Sequence, residues 1–457
     1  MYNICNAQYS SIRRYSILFV CNLTVGFSQI FPMAVITLQF GQCGNQMGHE
    51  LFNLISQDMQ VTNHGVSRNR NSEYIRHNGA KFFRTSPSEE GNLIARCVLV
   101  DTEKKVLRDV LCNNTSLPFT YDSNNVVSGE GGSANNWAYG YYHKGPELSD
   151  LALDVIRKEI EKCDAIYTFL GLLSTAGGTG SGVGSHILEC VRDEYPRKTL
   201  ANVVVLPFSK GEVAVQSYNT LFTLSNLLEV SDSIIVFRND HLHHLCCFQL
   251  NIKDASLYDL NELAMRQLSS LFLCNWDDYG FLTNLTPHPI HKFITLESAP
   301  HVPQNSVKFE TPIEWKTLAK EAKRIIQNRR LSEQKESRLA TLANVVITRG
   351  SGSEHSSVFD PFKKMMYFPK WVPPNLQLSM YHEDRRFLNF DKYFTWGTNS
   401  SDIYWPLKCN IEKAYKLYSY HAYVHQYKAY NVKEEDFLEV FTKAESVLKA
   451  YKSIMPT

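Results

Sequence analysis

Ala176-Gly177-Gly178-Thr179-Gly180-Ser181-Gly182-Val183-Gly184 stands between the apolar run Ala165–Leu173 and the helical pattern Ser185–Tyr195. Glycine lets a backbone come close to a phosphate, and the start of a helix presents unpaired N–H groups to an anion. Thr179 and Ser181 add hydroxyls, and successive N–H groups in such a turn form a nest for phosphate oxygens. Glycine and serine also make plain flexible linkers. A strand-to-helix junction inside a domain favours the cradle. Two familiar nucleotide motifs fail here. A P-loop needs a lysine after its second glycine, and the dinucleotide fingerprint needs a glycine where Ser185 stands. The turn is therefore a phosphate loop of a third kind, which disfavours a Rossmann-type oxidoreductase.

Outward from this turn, residues 33–240 alternate short apolar runs with longer helical patterns. The runs are Val35–Phe40, Ala95–Val100, Ala165–Leu173, Asn202–Leu206 and Ser233–Phe237. Helices are expected over Asn45–Ser56, Leu148–Lys162, Ser185–Tyr195 and Val215–Leu228. This order predicts an α/β fold with a mainly parallel, helix-covered sheet. Leu260, Leu263, Ala264, Leu268 and Leu271 fall near helical spacing, so Leu257–Phe272 reads as a long helix linking two regions. Beyond Pro287, strands Phe293–Leu296, Asn344–Arg349 and Tyr393–Gly397 mix with a charged helix, Pro312–Arg330. Two further helices follow from Asn410, the first crowded with Tyr415, Tyr418, Tyr420 and Tyr423.

The bulk numbers exclude several classes. A chain of 457 residues is long enough for two or three packed domains. A formal net charge of +1 gives no electrostatic case for nucleic acid or an anionic membrane. Eleven scattered cysteines, an odd number, point to reduced thiols rather than a disulfide framework. No run of eighteen apolar residues offers a membrane span. Residues 1–32 loosely imitate a signal peptide, with Arg13 and Arg14 before Ile17–Phe27. Asn22 and Thr24 interrupt that run, so the segment reads as a disordered extension or a mistaken start.

Two more glycine turns follow predicted strands. Gly41-Gln42-Cys43-Gly44-Asn45-Gln46 follows the first, and Gly129, Gly131 and Gly132 lead into Ser133-Ala134-Asn135-Asn136. Asp101 and Glu103 follow Ala95–Val100 at the carboxyl edge, where ligands of open parallel sheets collect. Carboxylates there suit Mg²⁺ through water, although a solvated strand end is the plainer alternative.

With these motifs in hand, the chain resembles the tubulin family. Ala176–Gly182 is similar to the family's phosphate-loop signature, with alanine in place of the first glycine. Gly41–Gln46, Val98–Glu103 and Asn135–Ala138 resemble its other loops. The resemblance runs from Met33 to the C-terminus and is nearest the delta-tubulins at Asn136–Tyr141, Gly211–Val213 and Pro287–Pro289. The last 21 residues hold three lysines and two glutamates, so the acidic tail of alpha- and beta-tubulins is missing. The resemblance implies a GTP-binding domain over 33–256, a core helix and short loop over 257–284, an α+β intermediate domain over 285–408 and C-terminal helices over 409–457. It implies GTP with Mg²⁺ as cofactors. Gly41, Gln42, Cys43, Ser133, Asn135, Ala176, Gly177, Gly178, Thr179 and Gly180 would hold phosphate. Gln216, Asn239, Leu257 and Asn261 would meet guanine and ribose, and Asp101 and Glu103 would stand near the metal. It further implies other tubulins as head-to-tail partners and a role at centrioles, basal bodies and cilia, in the cytoplasm and cytoskeleton.

Three departures from the family pattern matter. The base-stacking tyrosine is replaced by Leu257, with Tyr258 turned roughly 100° away on a helix, so GTP binding is expected to be weaker. Gln216 replaces a glutamate. Gly280 stands where alpha-tubulin carries the glutamate that orients the attacking water. Asp277 and Asp278 are the candidate substitutes, and solvated loop residues are the alternative. GTP binding is therefore a firmer expectation than turnover. An active polymerising GTPase is the rival reading. His241, His243, His244, Cys246 and Cys247 imitate a metal cluster but read as ordinary helix residues.

Overall fold

The strand Ala34–Phe40 (β1) is buried at every position, and Ile166–Ser174 (β7) at all but its last. Strands covered on both faces belong to the middle of a parallel sheet. The computed structural model describes residues 33–61, 66–85, 92–112, 117–211, 213–274, 280–302, 314–333, 339–352, 364 and 366–456. The remaining strands are Phe83–Thr85 (β2), Leu93–Ala95 (β3), Cys97–Asp101 (β4), Phe119–Thr120 (β5), Val126–Ser128 (β6), Thr199–Leu206 (β8) and Ser233–Arg238 (β9), then Phe293–Ala299 (β10), Thr341–Arg349 (β11), Ser379–Glu383 (β12) and Tyr393–Ser400 (β13).

Ten of them make one sheet in the order β12-β11-β13-β10-β9-β8-β7-β1-β4-β6. Only β13 runs antiparallel to its neighbours. From β1 the chain builds outward through β4 and β6 on one side, and from β7 through β8 and β9 on the other. The order reverses between β1 and β7. Ligands of open parallel sheets bind in the crevice at such a reversal, outside the carboxyl ends of the strands.

Helix Gly41–Gln60 (α1) leaves β1 directly and packs on Leu257–Phe272 (α2), whose start is closed by a capping box between Ser256 and Asp259. Helices Gly145–Ile160 and Gly184–Glu194 cover the opposite face. The far end of α1 is bolted to the segment after β12 by a buried charge cluster. Asp58 accepts from Tyr74 Oη at 2.8 Å and from Arg385 Nη1 at 2.7 Å, while Arg349 Nη2 donates to Tyr74 Oη at 2.8 Å. Asp58, Arg349 and Arg385 are all shut off from solvent, so each charge depends on the others.

Several elements differ from the sequence reading, each for a physical reason. The run Ala95–Val100 is two strands. Arg96 breaks it, its N–H donating to the Phe82 carbonyl at 2.9 Å, and β3 joins β2 and β5 in a separate three-stranded sheet. Helices Arg68–Phe82 and Lys104–Cys112 were not expected; the first is polar around most of its circumference and shows no apolar stripe. The charged helix runs Trp315–Glu333. The tyrosine-rich helix begins at Tyr404, ahead of the expected boundary at 409, and ends at Ser419. It stops short of Tyr420 and Tyr423, which were expected on it: His421 and Tyr423 are left-handed, and a short helix Val424–Lys428 (α3) precedes a third, Glu434–Ser453. The intermediate region shares the nucleotide region's sheet, because Phe293 and Ile294 of β10 pair with Ile234 and Ile235 of β9. Cysteines among the described residues are free thiols. No described helix is long and apolar enough to cross a membrane. Residues 1–32 lie outside the described residues.

Candidate functional site

A cavity of about 510 Å³ opens at the carboxyl ends of β1, β4 and β7, where the sheet order reverses. Its floor is made of glycine turns pressed together. Gly41 takes φ +70°, and a Cβ there would lie 2.8 Å from the Gly180 nitrogen. Left-handed backbone and close approach both require glycine. The buried Asn45 amide donates to the Gly41 carbonyl at 2.9 Å and to the Val100 carbonyl at 3.2 Å, tying the first turn to the end of β4. In the second turn Gly131, Gly132, Ala134 and Asn135 all have positive φ. Gly178 packs so tightly on this turn that its Cβ would fall 2.3 Å from the Ser133 carbonyl oxygen. Three hydroxyls knit the turns together: Thr179 to Thr102 at 2.7 Å, Thr179 to Ser133 at 3.0 Å, and Thr102 to Ser133 at 3.2 Å. Clustered backbone N–H groups and hydroxyls of this kind suit a polyphosphate.

One carboxylate oxygen in this cavity is informative. Asp101 is almost fully buried; its Oδ1 accepts from the Glu103 N–H at 3.1 Å, and its Oδ2 has no partner among the described residues. Burial pushes the carboxyl up to about 6. A buried oxygen without a partner is what a bound cation or ordered water satisfies. Glu103 stands exposed on the rim of the same cavity. The residues present fit a hard cation. Cys43 also lines the cavity, and burial raises its thiol to about 12, so it meets the ligand uncharged.

At the other end Asn239 opens the helix Asn239–Phe248, and Leu257 and Asn261 come from α2. Tyr258 is not on the cavity wall; its hydroxyl reaches Glu50. Burial and the neighbouring carboxylates raise that phenol to about 12. Two expected residues fall elsewhere. Ala176 does not line the cavity; its carbonyl accepts from Asn219 Nδ2 at 2.6 Å. Gln216 turns back to donate to the Phe208 carbonyl at 2.9 Å and lines a neighbouring cavity of about 810 Å³. The glycine at 211 leaves room for that retreat, since a Cβ there would lie 1.9 Å from Gln216 Oε1. Among the described residues the larger cavity has no glycine loop, and its lining sets carboxylates of Asp240, Glu297 and Glu321 beside the cations of Arg238, Arg324 and Lys413. It suits a nucleotide less well. Asp277 and Asp278 lie outside the described residues. Gly280 precedes the short helix Phe281–Leu285, and among the described residues its Cβ would meet nothing nearer than Asn284 at 4.0 Å.

Sequence reasoning did not find Asn219, which joins the turns from behind. Its signal is slight: one amide within the mostly apolar stretch Tyr218–Phe222. The histidine and cysteine cluster does not converge. His241 Nε2 pairs with Glu297 at 2.7 Å, His243 meets Cys247 at 3.6 Å, and Cys246 is buried. Among the described residues no group of three or more such side chains is placed to hold a metal ion.

A parallel sheet with three phosphate-type turns and an asparagine pair defines a nucleotide-binding protein. Residues 34–247 match the profile of the Tubulin/FtsZ family, GTPase domain. Over 454 residues the chain is 33% identical to the tubulin delta chain of Macaca fascicularis, covering 92% of this chain and 99% of that one. The tubulin delta chain of Homo sapiens is 32% identical over the same span. A tubulin beta chain of Pneumocystis carinii is 28% identical over 432 residues, covering 92% of this chain and 95% of that one. The chain belongs to the tubulin family and is a GTP-binding protein, more similar to these delta chains than to the beta chain.

Proposed function

We propose that the protein binds Mg²⁺·GTP in the 510 Å³ cavity and acts as a delta-type tubulin in the microtubules of centrioles, basal bodies and cilia. The observation that carries the nucleotide reading is the buried, partnerless Asp101 oxygen beside three interlocked glycine turns. On this reading Gly41, Gln42, Cys43, Ser133, Asn135 and Gly177–Gly180 hold the phosphates. Asn239 and Asn261 offer amide donors and acceptors to the guanine edge. Leu257 covers the base without stacking on it. Asp101 and Glu103 hold Mg²⁺, which when bound screens the phosphate charge.

Partners are other tubulins, meeting head to tail through the nucleotide end and the end around Gly280. Such a heterologous contact completes one subunit's site with residues of the next. Gly280 brings no carboxylate to that contact, which supports a binding role over self-driven polymerisation. Similarity to delta chains across nearly their whole length supports the cellular role.

The test is to purify the protein in Mg²⁺ and identify the nucleotide it carries. About one GTP per chain is expected. A protein that carries and takes up no guanine nucleotide refutes the site, and GDP alone favours turnover. For the cellular role, a tagged protein should mark centrioles and its depletion should remove outer centriolar microtubules. An unchanged centriole refutes that part.

A further inference from the structure

We infer that Asn219 is a positioning residue that sets the spacing of the two main nucleotide turns, and that Tyr427 makes the C-terminal helical segment part of the same joint. The inference rests on the nucleotide reading of the cavity. Asn219 lies on the helix Gln216–Val230 and has no solvent exposure. Its amide can accept twice and donate twice, and every one of these capacities is used. Oδ1 accepts from the Trp137 N–H at 2.8 Å and from Tyr427 Oη at 2.6 Å. Nδ2 donates to the Asn135 carbonyl at 2.8 Å and to the Ala176 carbonyl at 2.6 Å. Two donors stand on one side and two acceptors on the other, so only one amide orientation satisfies all four.

The two carbonyls belong to different turns. Asn135 lines the cavity, and Ala176 immediately precedes Gly177, which also lines it. One side chain therefore fixes the distance between the turns that would grip opposite sides of a phosphate chain. Asp in its place lacks both donors, and Ala takes the amide partner from the buried Trp137 N–H and Tyr427 hydroxyl and from the part-buried Asn135 and Ala176 carbonyls.

The fourth partner carries the consequence. Tyr427 belongs to α3, more than two hundred residues along the chain. Its ring is fully buried between Phe222, Tyr218 and Phe437, at centroid distances of 5.6, 5.4 and 5.5 Å. Further bonds bind the same segment to the same region: Asn136 Nδ2 donates to the Gln426 carbonyl at 3.3 Å, and Tyr218 Oη to the Ala422 carbonyl at 3.1 Å. A shift in turn spacing must alter these bonds, and a force on the C-terminal helices must reach the turns. Such coupling is reciprocal in free energy, and the low dielectric of a buried network strengthens each bond in it.

Tyr427→Phe tests this in the full chain, because it deletes only the hydroxyl and keeps the ring packing. Hydrogen exchange of residues 421–430 and the release rate of GTP are measured with Mg²⁺ present. In the wild type, GTP should slow exchange in that segment. In the variant, GTP release should quicken about three- to tenfold, the range expected for one buried hydrogen bond, and the nucleotide effect on exchange should vanish. A merely structural hydroxyl would lower stability equally with and without GTP and leave both readouts unmoved; that result overturns the inference. A wild-type protein that takes up no guanine nucleotide overturns the site reading and this inference with it. Should the variant fail to fold, Asn136→Asp serves instead. It keeps the cap to Ala138 and Tyr139 but loses the donation to Gln426, and the same two readouts should move in the same direction.

Discussion

Gly177 and Gly178 are neighbours in one turn, yet the same substitution should harm them in different ways. A methyl at Gly178 would lie 2.3 Å from the Ser133 carbonyl oxygen, 2.7 Å from Ser133 Cβ and 2.8 Å from the Asn136 nitrogen. Ordinary C···O contacts begin near 3.3 Å, so the second turn must retreat by about 1 Å. Overpacking of this size costs about 1–3 kcal/mol, and Ser133 cannot yield by rotating because the clash is with backbone. At Gly177, chain neighbours aside, the only atom of the described residues within 4 Å is Asn135 Oδ1, at 3.5 Å, and the backbone is not left-handed. There alanine should leave the protein without nucleotide unharmed, or raise its stability by up to about 1 kcal/mol through the unfolded chain. Its methyl points instead into the space assigned to phosphate. Thermal unfolding with and without Mg²⁺·GTP separates the two. Gly178→Ala should lower Tm by a few degrees in both conditions. Gly177→Ala should keep its Tm without nucleotide and lose the rise that GTP gives the wild type. Equal loss for both variants without nucleotide, or a full GTP-induced rise in Gly177→Ala, would refute the reasoning.

Leu257→Tyr should restore a stacking surface and tighten GTP binding by about 1–3 kcal/mol; a fluorescent-nucleotide titration with no gain would show that the base does not lie over this residue. Asp58→Ala leaves Arg385 and Arg349 buried without their carboxylate and should cost about 3–5 kcal/mol, read as a lower urea midpoint. His301 is buried, neither ring nitrogen is hydrogen-bonded among the described residues, and burial pushes it down to about 4. An unfolded histidine titrates near 6.5, so the unfolded chain binds more protons between these values. Stability should rise with pH from about 4 to 6.5 and be lost as pH falls through that window, by about 3 kcal/mol in all. His301→Phe should flatten that part of the urea-midpoint profile, and an unchanged slope would count against it.

What the sequence made legible were features written locally. A strand running into glycines and then a helix can be read from a dozen residues, and Gly41–Gln46 and Ala176–Gly184 read that way. Leu257–Phe272 showed its apolar stripe, while the Ser256–Asp259 box that closes its start was not read from the sequence. Asn239 and Asn261 were different, since nothing in their own neighbourhoods distinguishes them from surface amides; only resemblance singled them out. The split at Arg96 was hidden because both strands it separates are apolar, and what divides them is a hydrogen bond to Phe82. Arg68–Phe82 was hidden because a mostly polar helix shows no period. The Asp58–Arg385 pair spans 327 residues, and Asn219 has partners on three distant segments. Joints of that kind exist only after the chain has folded.

The pairing of β9 with β10 gives the protein the mechanics of a plate. Ten strands at about 4.8 Å spacing make it roughly 43 Å wide, and β10 and β13 carry the ladder across the place where a hinge would otherwise lie. Two lobes joined by a linker can swing while each keeps its shape. A hydrogen-bonded plate resists such a swing, and the short β9–β10 ladder of Phe293 and Ile294 on Ile234 and Ile235 gives a strain at the nucleotide cavity a backbone route toward β12.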